Sequence, residues 1–559
     1  MPALRTLVDA LDDGAASGAG YTFLEDGGSR MRSYGEMRAA ARLVAAGLRR
    51  AGLARGDVAA IVIGDAEQFL TALIGAAIAG IVPASIYPPS TTTQLPRFFE
   101  ASAPALAAAH ARAVVTTSGL VAGFQALRPL QPNLQYVFAF EELAADGEPD
   151  DWRPSLDDVA FIQYTSGSTS RPKGVVVTHR SLAANVHGIH GPSGLDVRPD
   201  DVGVSWLPLY HDMGLVGMSL GALYSGRPLV LMPPEMFVKR PVEWLRVISR
   251  YRASVSYAPN FAYDLCVRRV KDRDLEGLDL SSWRVAGCGA EPINAHTLEA
   301  FAGKFARAGF RASSFLPSYG LAEHVLAATF GVRQREPRVD VVSADALSAR
   351  RVAAGIDPAD DSAIRLVSCG RPLPGHAVHI IADDGAEARE RQVGEIVLAG
   401  PSVMLGYCKD PESTSEVIRD GWLHTGDLGY LSEGELFVCG RLKDLIVTNG
   451  RKYHPQDLEW SVERLPGVKR GRVVAFGAGE PNRAVIVAEP SGTVPAAALS
   501  ADIRQAVGDL FGLPVGDVVL VAGGTIDRTT SGKVRRAAVR ASYVRGELTG
   551  SANPVGIDA

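Results

Sequence analysis

Five cysteines in 559 residues are too few and too scattered for a disulfide framework. Cys266, Cys288, Cys369, Cys408 and Cys439 form no CxxC pair. An odd count in a long chain reads as buried free thiols in a reducing cytoplasm. Long apolar runs are also missing. The longest, "TALIGAAIAGIVPA" (Thr71 to Ala84), holds a proline and is too short to span a bilayer. It reads as a buried helix leading into a strand. Positive charge is not in excess: 57 Lys and Arg stand against 62 Asp and Glu. That balance argues against nucleic acid or a membrane surface as a whole-protein partner. The N-terminal "MPALRTLVDALDDG" carries acidic residues and no apolar core, so it does not read as a signal peptide. Repeats and long low-complexity tracts are absent as well.

What is present is a long alternation of strand and helix. The chain exceeds what one core can hold, so two to four domains or subdomains are expected. "YGEMRAAARLVAAGLRRAG" has helical spacing and stops at Gly52. The strand-like "VAAIVI" (Val58 to Ile63), a helix Glu67 to Ala79 and "IVPASI" follow. The rhythm returns at "RPLVLM", a helix Val242 to Tyr251 and "ASVSYAP", and again at "WRVAGCG". This is the pattern of a mostly parallel sheet covered by helices. Beyond about residue 365 short strands and turns take over, as in "HAVHIIADDG", "GEIVLAG" and "GELFVCG". A fresh α+β pattern fills the last hundred or so residues. The boundary falls near "GRLKDLIVTNG" (Gly440 to Gly450), and the tail "GSANPVGIDA" reads as disordered.

The stretch "YTSGSTSRPKGVVVT" (Tyr164 to Thr178) has the chemistry of a phosphate loop. Thr165, Ser166, Ser168 and Thr169 offer hydroxyls, and Gly167 and Gly174 let backbone N–H groups converge on an anion. Lys173 adds a point charge. The usual nucleotide loop has four residues between its glycines and then Lys and Ser or Thr. Here five residues separate Gly167 from Lys173, so this is another kind of phosphate loop or a surface turn.

With the motifs that follow it, the chain resembles adenylate-forming enzymes, and among them fatty acyl-AMP ligases, over nearly its whole length. "SYGLAEH" (Ser318 to His324) looks like the adenine and metal motif: Tyr319 would stack on adenine beside Gly320, and Glu323, with Thr165, would hold Mg²⁺. "GCGAEPI" supplies Gly289, Ala290 and Glu291, a turn that lines adenine in relatives. "HTGDLG" gives Asp427 for both ribose hydroxyls, and Arg441 in "GRLKD" would contact the ribose too. Lys533 in "TTSGKVRR" matches the catalytic lysine, and Lys443 the hinge. Taken singly, an Asp in a TGD turn is a turn former and a Lys in an SGK turn is solvated. Together, in one order, these turns form a specific signature.

"LPLYHDMGL" (Leu207 to Leu215) resembles the acyl-side motif. His211 would stand at the tunnel mouth as a gate or orienting group, and Asp212, Met213, Gly214, Met218, Asn260 and Phe261 would line the tunnel. Met218 is the expected plug that sets chain length. "HGIH" (His187, His190) lacks further nearby ligands and reads as a helix-end pair rather than a metal site.

The resemblance implies an α/β fold. Residues 1–440 would form a large adenylation domain of stacked α/β subdomains plus a distorted β-barrel, 441–450 a hinge, and 451–559 a small mobile α+β domain. It implies ATP and Mg²⁺ as cofactors, a fatty acid as substrate and a holo acyl carrier protein as acceptor. "LYHD" replaces the F-D-x-S pattern of amino-acid-activating relatives. Ser170, "APNFAYDLCVRR" and "GRLKDLIVTNGRKYHPQDLE" favour acyl-AMP over acyl-CoA ligases, although "KYHP" departs from the commoner "NHYP" and leaves His454 without a role. Arg338 to Leu366 matches the extra segment that keeps CoA out, with a strand-like start, a short helix and an acidic loop. A surface excursion of no function is the other reading. The rival readings of the whole are an acyl-CoA ligase and a non-catalytic acyl or nucleotide sensor.

Overall fold

The computed structural model describes residues 3–89, 95–144, 152–164, 172–448, 450–479, 482–492, 494–526, 528 and 534–548. The Thr165 to Ser170 part of the phosphate loop, Lys533 and the tail from residue 550 lie outside the described residues.

The alternation read from the sequence builds two large sheets. In the first, Val58–Val62 pairs in parallel with Val82–Ser85 and Ala113–Thr116, and these with Val159–Tyr164 and Tyr136–Ala139. Gly174–Thr178 and then Gly406–Tyr407 extend one edge antiparallel, completing seven strands. The second sheet has nine strands. Its parallel centre runs Phe315–Gly320, Val285–Cys288, Val255–Ala258, Gly203–Ser205, Leu229–Leu231 and Gly20–Glu25.

The helices lie where propensity and capping put them. Ser33 caps Tyr34–Arg50 through a reciprocal box with Glu36. Ala66–Ala79 is apolar nearly all round and buried from Phe69 to Ala79, as a helix between layers must be. It meets Tyr34–Arg50 closely at Gly75, where a Cβ would stand 2.8 Å from Val44 Cγ1 and 2.9 Å from the Ala41 carbonyl. One apolar core runs from Ile61 of the first sheet through Leu73 and Val44 to Tyr21 and Leu229 of the second. The sheets are thus stacked through shared helices.

After residue 370 the texture changes as the sequence implied. Ala377–Ile381, Gly394–Ala399, Ile418–Arg419, Trp422–Ser432 and Glu435–Arg441 form an antiparallel sheet where the distorted barrel was expected. Its register slips between Glu395 and Val397 and between Leu428 and Gly429. Such bulges bend strands and curl the sheet. The C-terminal part has a hairpin, Ile446–Thr448 with Arg451–Tyr453, and a three-stranded mixed sheet carrying helices Pro455–Glu463, Ala496–Phe511 and Arg536–Val544.

The segment from Arg338 to Leu366 has a definite structure. Val339–Ser343 and Ala363–Val367 pair antiparallel around a π-helical turn, Ala346–Arg350. Its Val342, Leu347 and Ile364 share one apolar core with Tyr430 and Phe437 of the curled sheet and with Ile446, Tyr453, Leu458 and Ile503 of the C-terminal part. Ion pairs stitch the same contact: Arg451 to Asp345 at 2.9 Å, Arg351 to Asp383 at 3.1 Å and Lys452 to Asp383 at 2.5 Å. The apolar burial dominates, at about 1.5–3 kcal/mol per large side chain; the exposed ion pairs add about 1 kcal/mol or less each.

Candidate active site

One cavity of about 1680 Å³ gathers most of the residues singled out in the sequence. Lys173, Ala290, Glu291, Tyr319, Gly320, Glu323, Arg441 and Lys443 line it, as do His211, Asp212, Met213, Asn260 and Phe261. They arrive on the C-terminal ends of parallel strands and the turns that follow, the usual place for a site in an open α/β sheet. Thr165, Ser166, Gly167, Ser168, Thr169 and Lys533 lie outside the described residues. Their nearest described neighbours, Tyr164, Pro172, Arg528 and Val534, line the same cavity.

Below Tyr319 and Arg441, Asp427 sits just beneath the cavity wall, 5% exposed. The Tyr319 hydroxyl donates to its Oδ2 at 2.8 Å, and Arg441 Nε pairs with its Oδ1 at 2.9 Å. Asp427 holds the guanidinium's pKa above its ordinary value. Burial next to Asp427 likewise raises the Tyr319 phenol. In the "GCGAE" turn, Ala290 has φ of 68°, a left-handed conformation uncommon outside glycine. Glu291 accepts from the Phe261 N–H at 2.6 Å and so fixes the start of helix Asn260–Arg269. Gly289 has no room for a side chain: a Cβ would stand 2.8 Å from Ser318 Oγ.

Glu323 is half-buried at the cavity wall, and loss of solvent raises its pKa, with the Tyr407 hydroxyl bond at 2.9 Å pulling the other way. It forms no ion pair among the described residues. The chain then turns sharply. Val325 has φ 63° and ψ −58°, and Leu326 N–H bonds the His324 carbonyl at 2.7 Å. This is the strained γ-turn, rare even at sites. Buried Asn185 secures it, donating to the His324 and Ala327 carbonyls and accepting from Ala327 N–H. A hard carboxylate oxygen at the cavity wall suits a divalent ion that takes its other ligands from water and substrate phosphates. No group of three His, Cys, Asp or Glu capable of holding a metal exists among the described residues. The His187 and His190 pair closes a helix, as read from the sequence, with His190 bonded to Ser225.

In the "LYHD" stretch, His211 Nδ1 lies 2.7 Å from Asp212 Oδ1, which leaves Nε2 as the second ring position. Asp212 also accepts from Met213 N–H and opens a π-helix, Met213–Leu220. Met218 and Gly214 do not line the cavity. Met218 is packed in the core beside Gly203, and Gly214 lies against the Pro208 carbonyl. Met218, expected as a plug, is packed away from this cavity; Gly217 lines it instead, and a Cβ there would meet Leu326 Cδ2 at 2.8 Å.

Among the cavity residues that escaped the sequence reading are two that reach its polar wall. Tyr407 and Arg528 belong to no motif quoted for the site, and only the fold brings them to it. Lys443, in the turn Leu442–Asp444, has its pKa lowered by burial and then by Arg441. Asp444 beside it pairs with Arg536, which also grips Glu459.

The AMP-binding enzyme family model matches residues 11–408. A Caulobacter vibrioides protein named "Putative acyl-CoA synthetase" is 35% identical over 97% of this chain and 96% of its own. The medium-chain-fatty-acid–acyl-carrier-protein ligase JamA of Moorena producens is 34% identical over 98% and 96%. A solved structure from a study of fatty acyl-adenylate ligases of E. coli and L. pneumophila superposes with a TM-score of 0.91 at 36% identity, covering 97% of this chain and 98% of that one. No helix among the described residues is long and apolar enough to cross a membrane.

Proposed function

Because the chain belongs to the AMP-binding enzyme family, we propose that it activates a fatty acid with ATP as acyl-AMP, releasing pyrophosphate, and passes the acyl group to the phosphopantetheine thiol of an acyl carrier protein. The observation that carries this is the single cavity. It is lined both by the polar Lys173, Tyr319, Glu323 and Arg441 and by the apolar Phe261, Gly217 and Leu326. A nucleotide and an acyl chain thus have adjoining places.

The chemistry follows from charge. A carboxylate oxygen attacks the α-phosphorus of ATP, and both are anions. Lys533 bridges the two, neutralising charge as it gathers in the transition state. Lys173 and the Thr165–Thr169 hydroxyls hold the β- and γ-phosphates that leave. Tyr319 and the Gly289–Glu291 turn hold adenine, while Asp427 and Arg441 hold the ribose. His211, oriented by Asp212, fixes the carboxyl end of the acid. Glu323, with Thr165, would hold Mg²⁺, which supplies charge screening at the phosphates. Positioning and electrostatics do most of the work. Residues 441–450 then serve as the hinge, with Lys443 at its pivot, and the C-terminal part swings to admit the thiol.

The acyl-CoA synthetase name of one relative keeps a second acceptor in view. The docked Arg338–Leu366 segment favours the carrier protein, because it shares a core with the part that must move. CoA and a holo carrier present the same arm, so selection must act on its far end or on that motion. The test is one incubation with ATP, a panel of fatty acids, and either CoA or a holo carrier protein, with products identified by mass. Acyl-carrier product with little acyl-CoA supports the reading. Efficient acyl-CoA synthesis replaces it with the ligase for CoA.

A further inference from the structure

Tyr407 joins two parts of the site that have no other direct link among the described residues. It lies in the two-residue strand Gly406–Tyr407, which pairs with Val176 and Val175 immediately after Lys173. Cys408 N–H bonds the Gly174 carbonyl at 2.7 Å, and Leu405 N–H the Val176 carbonyl at 3.0 Å. Thr414 Oγ1 accepts from Tyr407 N–H at 2.9 Å. The backbone of Tyr407 is therefore tied to the exit of the phosphate loop. Its side chain makes two contacts of different kinds. The Lys173 ammonium stands 4.7 Å from the ring centroid, and the hydroxyl donates to Glu323 Oε1 at 2.9 Å. Met404, three residues earlier, donates its N–H to the Glu323 main-chain carbonyl at 2.9 Å. Both ends of Glu323 are thus held from one short stretch.

We infer that Tyr407 is a positioning residue for pyrophosphate formation, an inference that rests on the reading of the site given above. The ring is a resting place for the Lys173 ammonium, which moves onto the β- and γ-phosphates when ATP enters. The hydroxyl aims the Glu323 carboxylate at the cation that accompanies those phosphates. A ring face attracts a cation through its quadrupole, and a phenol donates a strong bond to an ionised carboxylate. Tyrosine supplies both. Phenylalanine keeps the first alone, and leucine keeps neither.

This separation gives the experiment. Tyr407→Phe and Tyr407→Leu are compared with the wild type in ATP–pyrophosphate exchange over a Mg²⁺ titration. Binding of Mn²⁺ in the presence of α,β-methylene-ATP is followed separately by electron paramagnetic resonance. Tyr407→Phe should raise the half-saturating Mg²⁺ concentration, and weaken Mn²⁺ binding, by about tenfold, as loss of a group that orients a metal ligand does. Its KM for ATP at saturating Mg²⁺ should stay within about twofold. Tyr407→Leu should in addition raise the KM for ATP and for pyrophosphate. Wild-type metal dependence and Mn²⁺ affinity in Tyr407→Phe would overturn the inference, as would equal defects in the two variants. Absence of exchange in the wild type with every fatty acid would instead overturn the proposed reaction, and the Mn²⁺ titration would still decide the role of Tyr407.

Discussion

Asp427 already accepts from Tyr319 and Arg441, so ribose hydroxyls must share oxygens that are in use. Each carboxylate oxygen has two lone pairs, and this sharing is possible. Asp427→Ala should raise the KM for ATP roughly tenfold to a hundredfold, since a hydrogen bond to a charged group is worth about 1.5–3 kcal/mol. The KM for the fatty acid should move far less, and steady-state kinetics with each substrate varied will tell. The acyl tunnel gives a second expectation. A side chain at Gly217 must displace Leu326, so Gly217→Val should shift the chain-length profile to shorter acids by several carbons. Met218→Gly should leave the profile alone and destabilise the fold by about 2–5 kcal/mol, as other core truncations do. A profile that follows Met218 instead would restore the plug that the sequence suggested. Met218 lies away from the cavity on a π-helix, and nothing in "MGLVGMSL" announces that winding. Tyr407 was invisible for another reason. It lies 84 residues from its partner Glu323, and "LGY" on its own is an ordinary turn.

Among the elements, those with strong periodicity were legible. Tyr34–Arg50, Ala66–Ala79 and Val242–Tyr251 lie within a residue or two of where spacing, caps and glycine stops put them. The strand, helix and acidic loop read into Arg338–Leu366 are also there, with a second strand closing the hairpin at Ala363–Val367. What one-dimensional pattern could not disclose is which surface this hairpin covers. It touches the N-terminal part through Arg365 and Glu299, but its apolar face enters a core with Ile446, Tyr453 and Leu458. Shortening 338–366 to a tight turn should therefore do two things. Acyl-CoA formation should rise with pyrophosphate exchange preserved, and amide exchange in 446–453 should quicken. Faster exchange without acyl-CoA would separate the mobility of the C-terminal part from the choice of acceptor.

For the molecule as a whole, several buried ionisable groups set the response to pH. Burial lowers His179 and His190 to about 4 and His324 and His454 to about 3. Unfolded, these imidazoles take up protons near pH 6.5, so the stability tied to their neutrality is lost progressively as pH falls below that value. Burial also raises Asp457 to about 8 and Glu463 to about 7. Those two act oppositely: they favour the fold at low pH, and that gain is lost as pH rises through 7 and 8. Four groups outweigh two, leaving roughly 2 kcal/mol lost per pH unit near pH 5.5. The melting temperature should fall between pH 6.5 and 5, and a flat profile would contradict the neutral imidazoles. His454→Leu should flatten part of the fall without harm at pH 7.5, because neither ring nitrogen has a hydrogen-bond partner to lose. The core shared by the 338–366 hairpin and the C-terminal part also bears on how the chain is made. The hairpin leaves the ribosome about a hundred residues before the side chains that cover it. At roughly 5–20 residues per second, Val342, Leu347, Ile364 and Leu366 wait on the order of ten seconds with part of their partners unsynthesised. A chain stopped at residue 441 leaves them in that condition permanently. It should aggregate on expression, and removing the hairpin from the same shortened chain should return it to the soluble fraction.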